Sequence, residues 1–437
     1  MMKRVPRVTA AVLALTLLLA LCGCGAADGK THLTFQTWDV AQRDSMEAIC
    51  AAYTAKNPDV VIDVQVTSWN EYWTKLEASA ESNTMPDIFW MHTNQILYYS
   101  DFGILADVTD LYDDVDPQYY ETHFSEISRG NASGSDGRMY GVPKDKDNIV
   151  MVYNKELFDA ANVAYPDENW TWNDLTDASQ KIYDATGKYG FMAYNEDHLG
   201  YWDFVYQAGG YILNEDRTQG GYTQPATARA IEFYVNMQKE DWCPDQTYFA
   251  ETQPGIAFFS GECAMYLEGN WELMNKATRY DNMEGKWDIA PLPKCPDPES
   301  GDGRATMSNG LCYSTAAQGK NLEIVKDVLK FFGTEEAQKI ASSYGAAISA
   351  YIGTEDPYYE AFEKAGYDLN LQVVKDQFEY SVQLVNNAAR PKWKSLVLAE
   401  LNKAYNGQSD IGTVLANMQK IVDETTAANL ANAAYYK

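Results

Sequence analysis

Five tryptophans, Trp38, Trp90, Trp202, Trp271 and Trp393, fall where the hydrophobic pattern ends a strand or begins a helix. Polar residues stand beside three of them: Asp39 follows Trp38, His92 and Asn94 follow Trp90, and Glu268 and Asn270 precede Trp271. An indole offers a flat, electron-rich face that suits the apolar C–H face of a pyranose, while carboxylates and amides pair with the hydroxyl edge. A tryptophan taken singly is more often core than ligand platform. Five at element ends, three with polar neighbours, point to carbohydrate binding.

Other chemistry lacks its usual signatures. No GxxxxGK[ST] loop, GxGxxG turn or GxSxG elbow occurs, so phosphate cradling, dinucleotide binding and serine hydrolysis have no motif to stand on. Acid pairs such as Asp113 with Asp114, or Asp145 with Asp147, have the residue type glycoside hydrolysis needs. Among 62 acidic residues such pairs arise by chance. No Asp-rich turn follows the order of a calcium loop. Beyond residue 24 the cysteines are Cys50, Cys243, Cys263, Cys295 and Cys312, an odd number without CxxC spacing, and His32, His92, His123 and His198 stand apart from them. No metal and no cofactor is expected. Cys295 and Cys312 flank a Gly/Pro/Asp loop and could bridge, but burial as small apolar side chains is the favoured state.

The elements that must position the tryptophans begin with a strand at His32 to Thr37, leading into Trp38 and Asp39. Met46, Ile49, Cys50 and Tyr53 then recur at helical spacing, with Asp44 or Ser45 as cap and Asn57-Pro58 as stop. Ile62, Val64 and Val66 alternate as a strand, Asn70 to Ser82 places Tyr72, Trp73, Leu76 and Ala80 on one helical face, and Ile88 to Met91 is an apolar run. Strand and helix alternating in this way predict a largely parallel sheet covered by helices, with ligands at the carboxyl ends of strands. Further on, Gly141 to Asn154 contains an extended apolar stretch and Trp172 to Ala185 reads as a helix. Leu322, Val325, Leu329 and Phe332 form one helical stripe, and Ile411, Val414, Leu415, Met418 and Ile421 another.

The chain has 437 residues, too many for one ordinary core, and two lobes are expected. It opens with Lys3, Arg4 and Arg7, an apolar run from Ala10 to Leu21, then Cys22-Gly23-Cys24. This reads as a lipoprotein signal peptide over 1–23, with Cys24 the lipidated first residue and 24–31 a tether; the apolar run is too short for a stable membrane span. Without residues 1–23 the chain carries 31 basic against 62 acidic residues. Such a surface repels phosphate backbones and anionic lipid heads, which excludes nucleic acid as a partner.

Three segments carry a resemblance to the extracellular solute-binding proteins of ABC sugar importers, the family that includes the maltose-binding proteins. They are Met85-Pro-Asp-Ile-Phe-Trp-Met-His92, Gly141-Val-Pro-Lys-Asp-Lys-Asp-Asn-Ile-Val-Met-Val-Tyr-Asn-Lys155 and Gly261-Glu-Cys-Ala-Met-Tyr-Leu-Glu-Gly-Asn-Trp271. The stretch from Phe331 to Gln338 is similar to the family's helix-turn after a lobe crossover. The resemblance implies a two-lobed α/β fold of the type II periplasmic-binding kind, a sheet flanked by helices in each lobe and a ligand cleft between. Lobe I would comprise 32–146 plus 314–350 and lobe II 147–313 plus 351–437, with crossovers near 143–148, 310–314 and 348–353. By the same resemblance Trp38 and Trp90 would line the cleft from lobe I, and Trp202, Trp271 and Trp393 from lobe II, with Asp147 accepting sugar hydroxyls near the hinge. The maltose-binding members follow their Phe-Trp-x-His segment with an acid and an arginine, where this chain has Thr93 and Asn94, which favours another oligosaccharide over maltose.

The function so implied is that of a non-catalytic monomer, held by lipid to the outer face of the cell membrane, that closes on a carbohydrate and presents it to the transmembrane subunits of a permease. A non-sugar solute in the same fold is one alternative; a uronate would want a cation in the cleft, and Arg390 is the one that lies near a candidate tryptophan. A lipid-anchored glycoside hydrolase is the other.

Overall fold

Leu33, Phe35 and Thr37 alternate inward along the strand Thr31–Thr37 and are buried, as a half-covered strand requires. In the computed structural model, which describes residues 29–436, this strand pairs in parallel with Val60–Val66 on one side and Ile88–His92 on the other. Cys24, the expected lipid site, lies outside the described residues. The helix Arg43–Lys56 lays Met46, Ile49, Cys50 and Tyr53 on the sheet. Leu311–Ser314, antiparallel to Ile88–His92, and Val142–Pro143 complete the five strands. All five residues of Ile88–His92 are buried, the mark of a central strand with both faces covered.

The second sheet runs Tyr189–Phe191, Cys263–Gly269, Ile149–Asn154, Trp287–Ala290. Its central strand feeds two cores through its pleat: Ile149, Met151 and Tyr153 face one, Val150 and Val152 the other. The helices Trp172–Thr186, Arg390–Tyr405 and Ile411–Tyr436 cover the first side, and Asp356–Ala365 with Gln372–Gln377 the second.

Between the sheets the chain crosses three times, through 143–149, 308–311 and 348–356, and four short strands pair there in twos. Asp145–Lys146 pairs with Ile348–Ser349, and Thr306–Ser308 pairs in parallel with Ser381–Gln383. Carboxylates tie the crossings together: Asp147 accepts from the backbone N–H groups of Asn309 and Gly310 at 2.7 and 3.1 Å, and Asp145 from that of Leu311 at 2.7 Å. Gly310 turns the chain at φ +55°, a conformation that costs glycine nothing. Two expectations change here. Leu311–Ser314 belongs to the first sheet, so the chain returns to lobe I before residue 314. The strand at 381–383, which runs beside the crossing at 306–308, was not foreseen, because three residues without a hydrophobic run give no strand signal.

Among the described residues all five cysteines are buried and free, and burial raises the thiols of Cys243 and Cys312 to about 12. No described helix is long and apolar enough to cross a membrane.

Candidate functional site

A cleft of about 670 Å³ opens between the lobes, within the roughly 300–1,000 Å³ typical of ligand sites. Both walls are built from the carboxyl ends of strands. On lobe I, Thr31–Thr37 delivers Trp38 and Asp39, and Ile88–His92 delivers His92 and, one turn on, Asn94. Asp39 caps the turn beyond it, accepting from Ala41 N–H at 2.8 Å and from Gln42 at 2.9 Å. Trp69, the first residue of the helix Trp69–Glu81, completes the wall with 41% of its surface exposed. On lobe II, Cys263–Gly269 delivers Glu268, Asn270 and Trp271. Gly269 is obligatory there, since a Cβ would occupy the space of the Trp271 indole folded back over it. Asp147 and Asn309 form the floor at the hinge.

The polar groups are prepared for a neutral, hydroxyl-rich ligand. Asn270 accepts from Asn148 N–H at 3.2 Å through its oxygen, leaving its buried amide nitrogen without a partner. Asn94 leaves its side-chain oxygen in the same condition. Unpaired buried polar atoms are costly, and a ligand that supplies their partners recovers that cost. His92 Nδ1 accepts from Asn94 N–H at 3.0 Å; burial, then the neighbouring His198, Arg390 and Lys394, holds the ring well below its usual range, so it is neutral. Burial and the adjacent Asp145 push Asp147 up to about 7, against the two backbone N–H groups that favour its charged form.

Lobe II is the more charged wall. Lys276 sits 3.4 Å from Glu268 and 3.3 Å from Glu272, and Lys394 lies 2.7 Å from Glu196 and 3.1 Å from Asp197. Although burial alone would raise it, Asp197 is held well below its ordinary range by Arg390 and Lys394. Glu196, Asp197 and His198 bring metal-ligating atoms within 4.8 Å of one another, yet Lys394 and Arg390 already stand where a metal ion would neutralise them.

Of the residues singled out in the sequence, Trp38, Asp39, His92, Asn94, Asp147, Glu268, Asn270 and Trp271 line this one cleft. Four do not. Trp90 is the third residue of the central strand, fully buried, with Lys144 4.5 Å over its ring. Trp202 and Trp393 are fully buried in lobe II and stack about Arg390, 4.5 and 5.4 Å from its guanidinium. Arg390 is itself 1% exposed and pairs with Asp197 at 2.6 Å, so it faces no ligand. The sequence pattern located element ends to within a few residues, and a few residues decide between wall and core. Trp69 was missed because the helix appeared to start at Asn70; a tryptophan directly after a strand and a Ser cap was the available signal. Glu196, His198 and Lys394 also reach the cleft, from an irregular turn and a helix whose patterns carried no ligand signal.

Two sheets joined by three crossings, with a cleft between them, define a two-lobed architecture. Residues 39–339 match the model of the bacterial extracellular solute-binding protein family, and the chain belongs to that family. A binding protein of Brucella abortus is 26% identical over 293 residues, 64% of this chain; the chain spans 66% of that relative's length. The arabinooligosaccharide-binding protein of Bacillus subtilis is 26% identical over 351 residues, 75% of this chain and 76% of its own. The fold is that of an ABC substrate-binding protein of Listeria monocytogenes solved with cycloalternan, at TM-score 0.79 and 24% identity over 91% of this chain and 99% of the other.

Proposed function

We propose that this protein is the solute-binding component of an ABC importer, taking an oligosaccharide into the interlobe cleft and presenting it to the permease as the lobes close. The observation that carries the reading is the placement of Trp38 and Trp69 on one lobe and Trp271 on the other, facing one cleft floored by the hinge. A ligand touching both walls stabilises the closed form in proportion to the contacts it makes only there. The oligosaccharide-binding relatives support a sugar of more than one ring. Anchorage through a lipid on Cys24 is part of the proposal; Cys24→Ser should move the protein from the membrane to the soluble fraction.

Binding without turnover is favoured by the state of the acids. Both oxygens of Asp147 accept backbone N–H groups, and Glu268 is engaged by Tyr266 at 3.2 Å and by Lys276. Calorimetric titration with a panel of oligosaccharides, with amino acids and polyamines as controls, tests the reading. Micromolar binding of a sugar recovered intact by chromatography is expected. Binding of only a control solute, or recovery of cleaved sugar, overturns it.

A further inference from the structure

The lobe I wall is a step rather than a flat platform. Trp69 stands upright against Trp38, centroids 5.0 Å apart with the rings at 87°, and meets His92 and Trp73 at 77° and 79°. Those three rings are closer to one another in orientation, since Trp38 makes only 43° with His92 and 38° with Trp73. Trp38 therefore forms the tread and Trp69 the riser. The tread is fixed from below, where Trp90 and Tyr72 pack edge-on against Trp38 at 5.0 and 4.9 Å. Trp90 and Tyr72 are buried, and their packing holds the tread in place. Trp69 nevertheless leaves two-fifths of its surface open to the cleft. The opposite wall is flat, with Trp271 and His198 within 23° of parallel at 6.4 Å.

Saccharides stack on indoles through the face of a pyranose or furanose ring. In a fully extended β-1,4-linked chain, successive rings lie close to one plane, as a ribbon, and adjacent rings cannot both lie flat on two surfaces at a right angle. Linkages that turn the chain set neighbouring rings steeply against each other, as such a corner requires. Resting on the oligosaccharide reading above, we infer that the site selects turned oligosaccharides over flat ribbons, and that Trp69 is the residue that sets this choice.

The test compares tetrasaccharides by calorimetry: β-1,4-linked gluco-, manno- and chito-tetraoses as ribbons, and α-1,4- and α-1,6-linked gluco-tetraoses with α-1,5-linked arabinotetraose as turned chains. The tightest turned chain should exceed the tightest ribbon by roughly tenfold, about 1.4 kcal/mol. Trp69→Ala should reduce that ratio to about threefold or less while still binding, and Trp69→Phe, which keeps a smaller upright ring, should fall between. A ribbon that binds as tightly as any turned chain, or a Trp69→Ala protein that keeps the full ratio, overturns the inference and leaves the oligosaccharide reading standing. Silence across all six sugars overturns both.

Discussion

The two walls of the cleft start from the same material, tryptophan near the ends of strands and in the helices that follow, and spend it differently. Lobe I gathers Trp38, Trp69, Trp73 and Trp90 into one aromatic block whose upper rings face the ligand and whose lower rings are core. Lobe II presents only Trp271, and packs Trp202 and Trp393 inside the lobe around Arg390, whose charge in turn holds Asp197. One wall is rigid because rings pack on rings, the other because buried charges are paired. The difference teaches that a tryptophan becomes a binding surface only where the strand has ended. One residue earlier, the pleat and the covering helices claim it.

The contrast can be broken most severely at Arg390. Arg390→Met leaves buried Asp197 with only Lys394 and His198 as side-chain partners, and should cost about 3–5 kcal/mol of lobe II stability, read by urea denaturation. A loss below about 1 kcal/mol would mean that the network is not what holds this wall. On lobe I, Trp90→Ala should cost about 3–5 kcal/mol as a core cavity. Trp69→Ala, half exposed, should cost about 1 kcal/mol or less. Equal effects of the two would erase the division between lower and upper rings. Gly269→Ala sharpens the comparison on the other side: by displacing the Trp271 ring it should weaken sugar binding roughly tenfold with the melting temperature little changed.

A further effect is electrostatic and belongs to the hinge that both walls share. The folded pKa of Asp147, about 7, lies above its ordinary value of 3.8, so the folded state favours the protonated carboxyl. The stability this contributes is full below about pH 4 and is lost as pH rises through 7. His92, held low, acts in the opposite sense, favouring the fold above its ordinary value of 6.5. The difference between wild type and Asp147→Asn in chemical denaturation at pH 4 to 8 isolates the first contribution. The variant's curve should lack the loss between pH 4 and 7; parallel curves would contradict the assignment.

Much of the fold was legible because its signals are local. Met46, Ile49, Cys50 and Tyr53 defined a helix whose same four residues are buried, and Trp172 was found at the start of a helix closed by its own capping box with Thr171 and Asp174. Seven cleft residues were legible because polar residues stood beside a tryptophan at an element end, and Asp147 only through the family resemblance. The rest depended on contacts distant in sequence. Whether Arg390 meets a ligand or Asp197 is decided across 193 residues, and no spacing rule reads that. Trp69 hinged on a single residue at a helix start, a boundary that propensity places no better than within a turn.

Capture in the cleft requires one ligand to be held from both lobes at once. Calorimetric titration of Trp69→Ala and Trp271→Ala with the sugar that binds wild type best tests that most directly. Each variant should melt close to wild type and bind roughly tenfold or more weakly, a loss of about 1.4 kcal/mol from either side of the cleft. Wild-type affinity in either variant would contradict a ligand gripped between the walls.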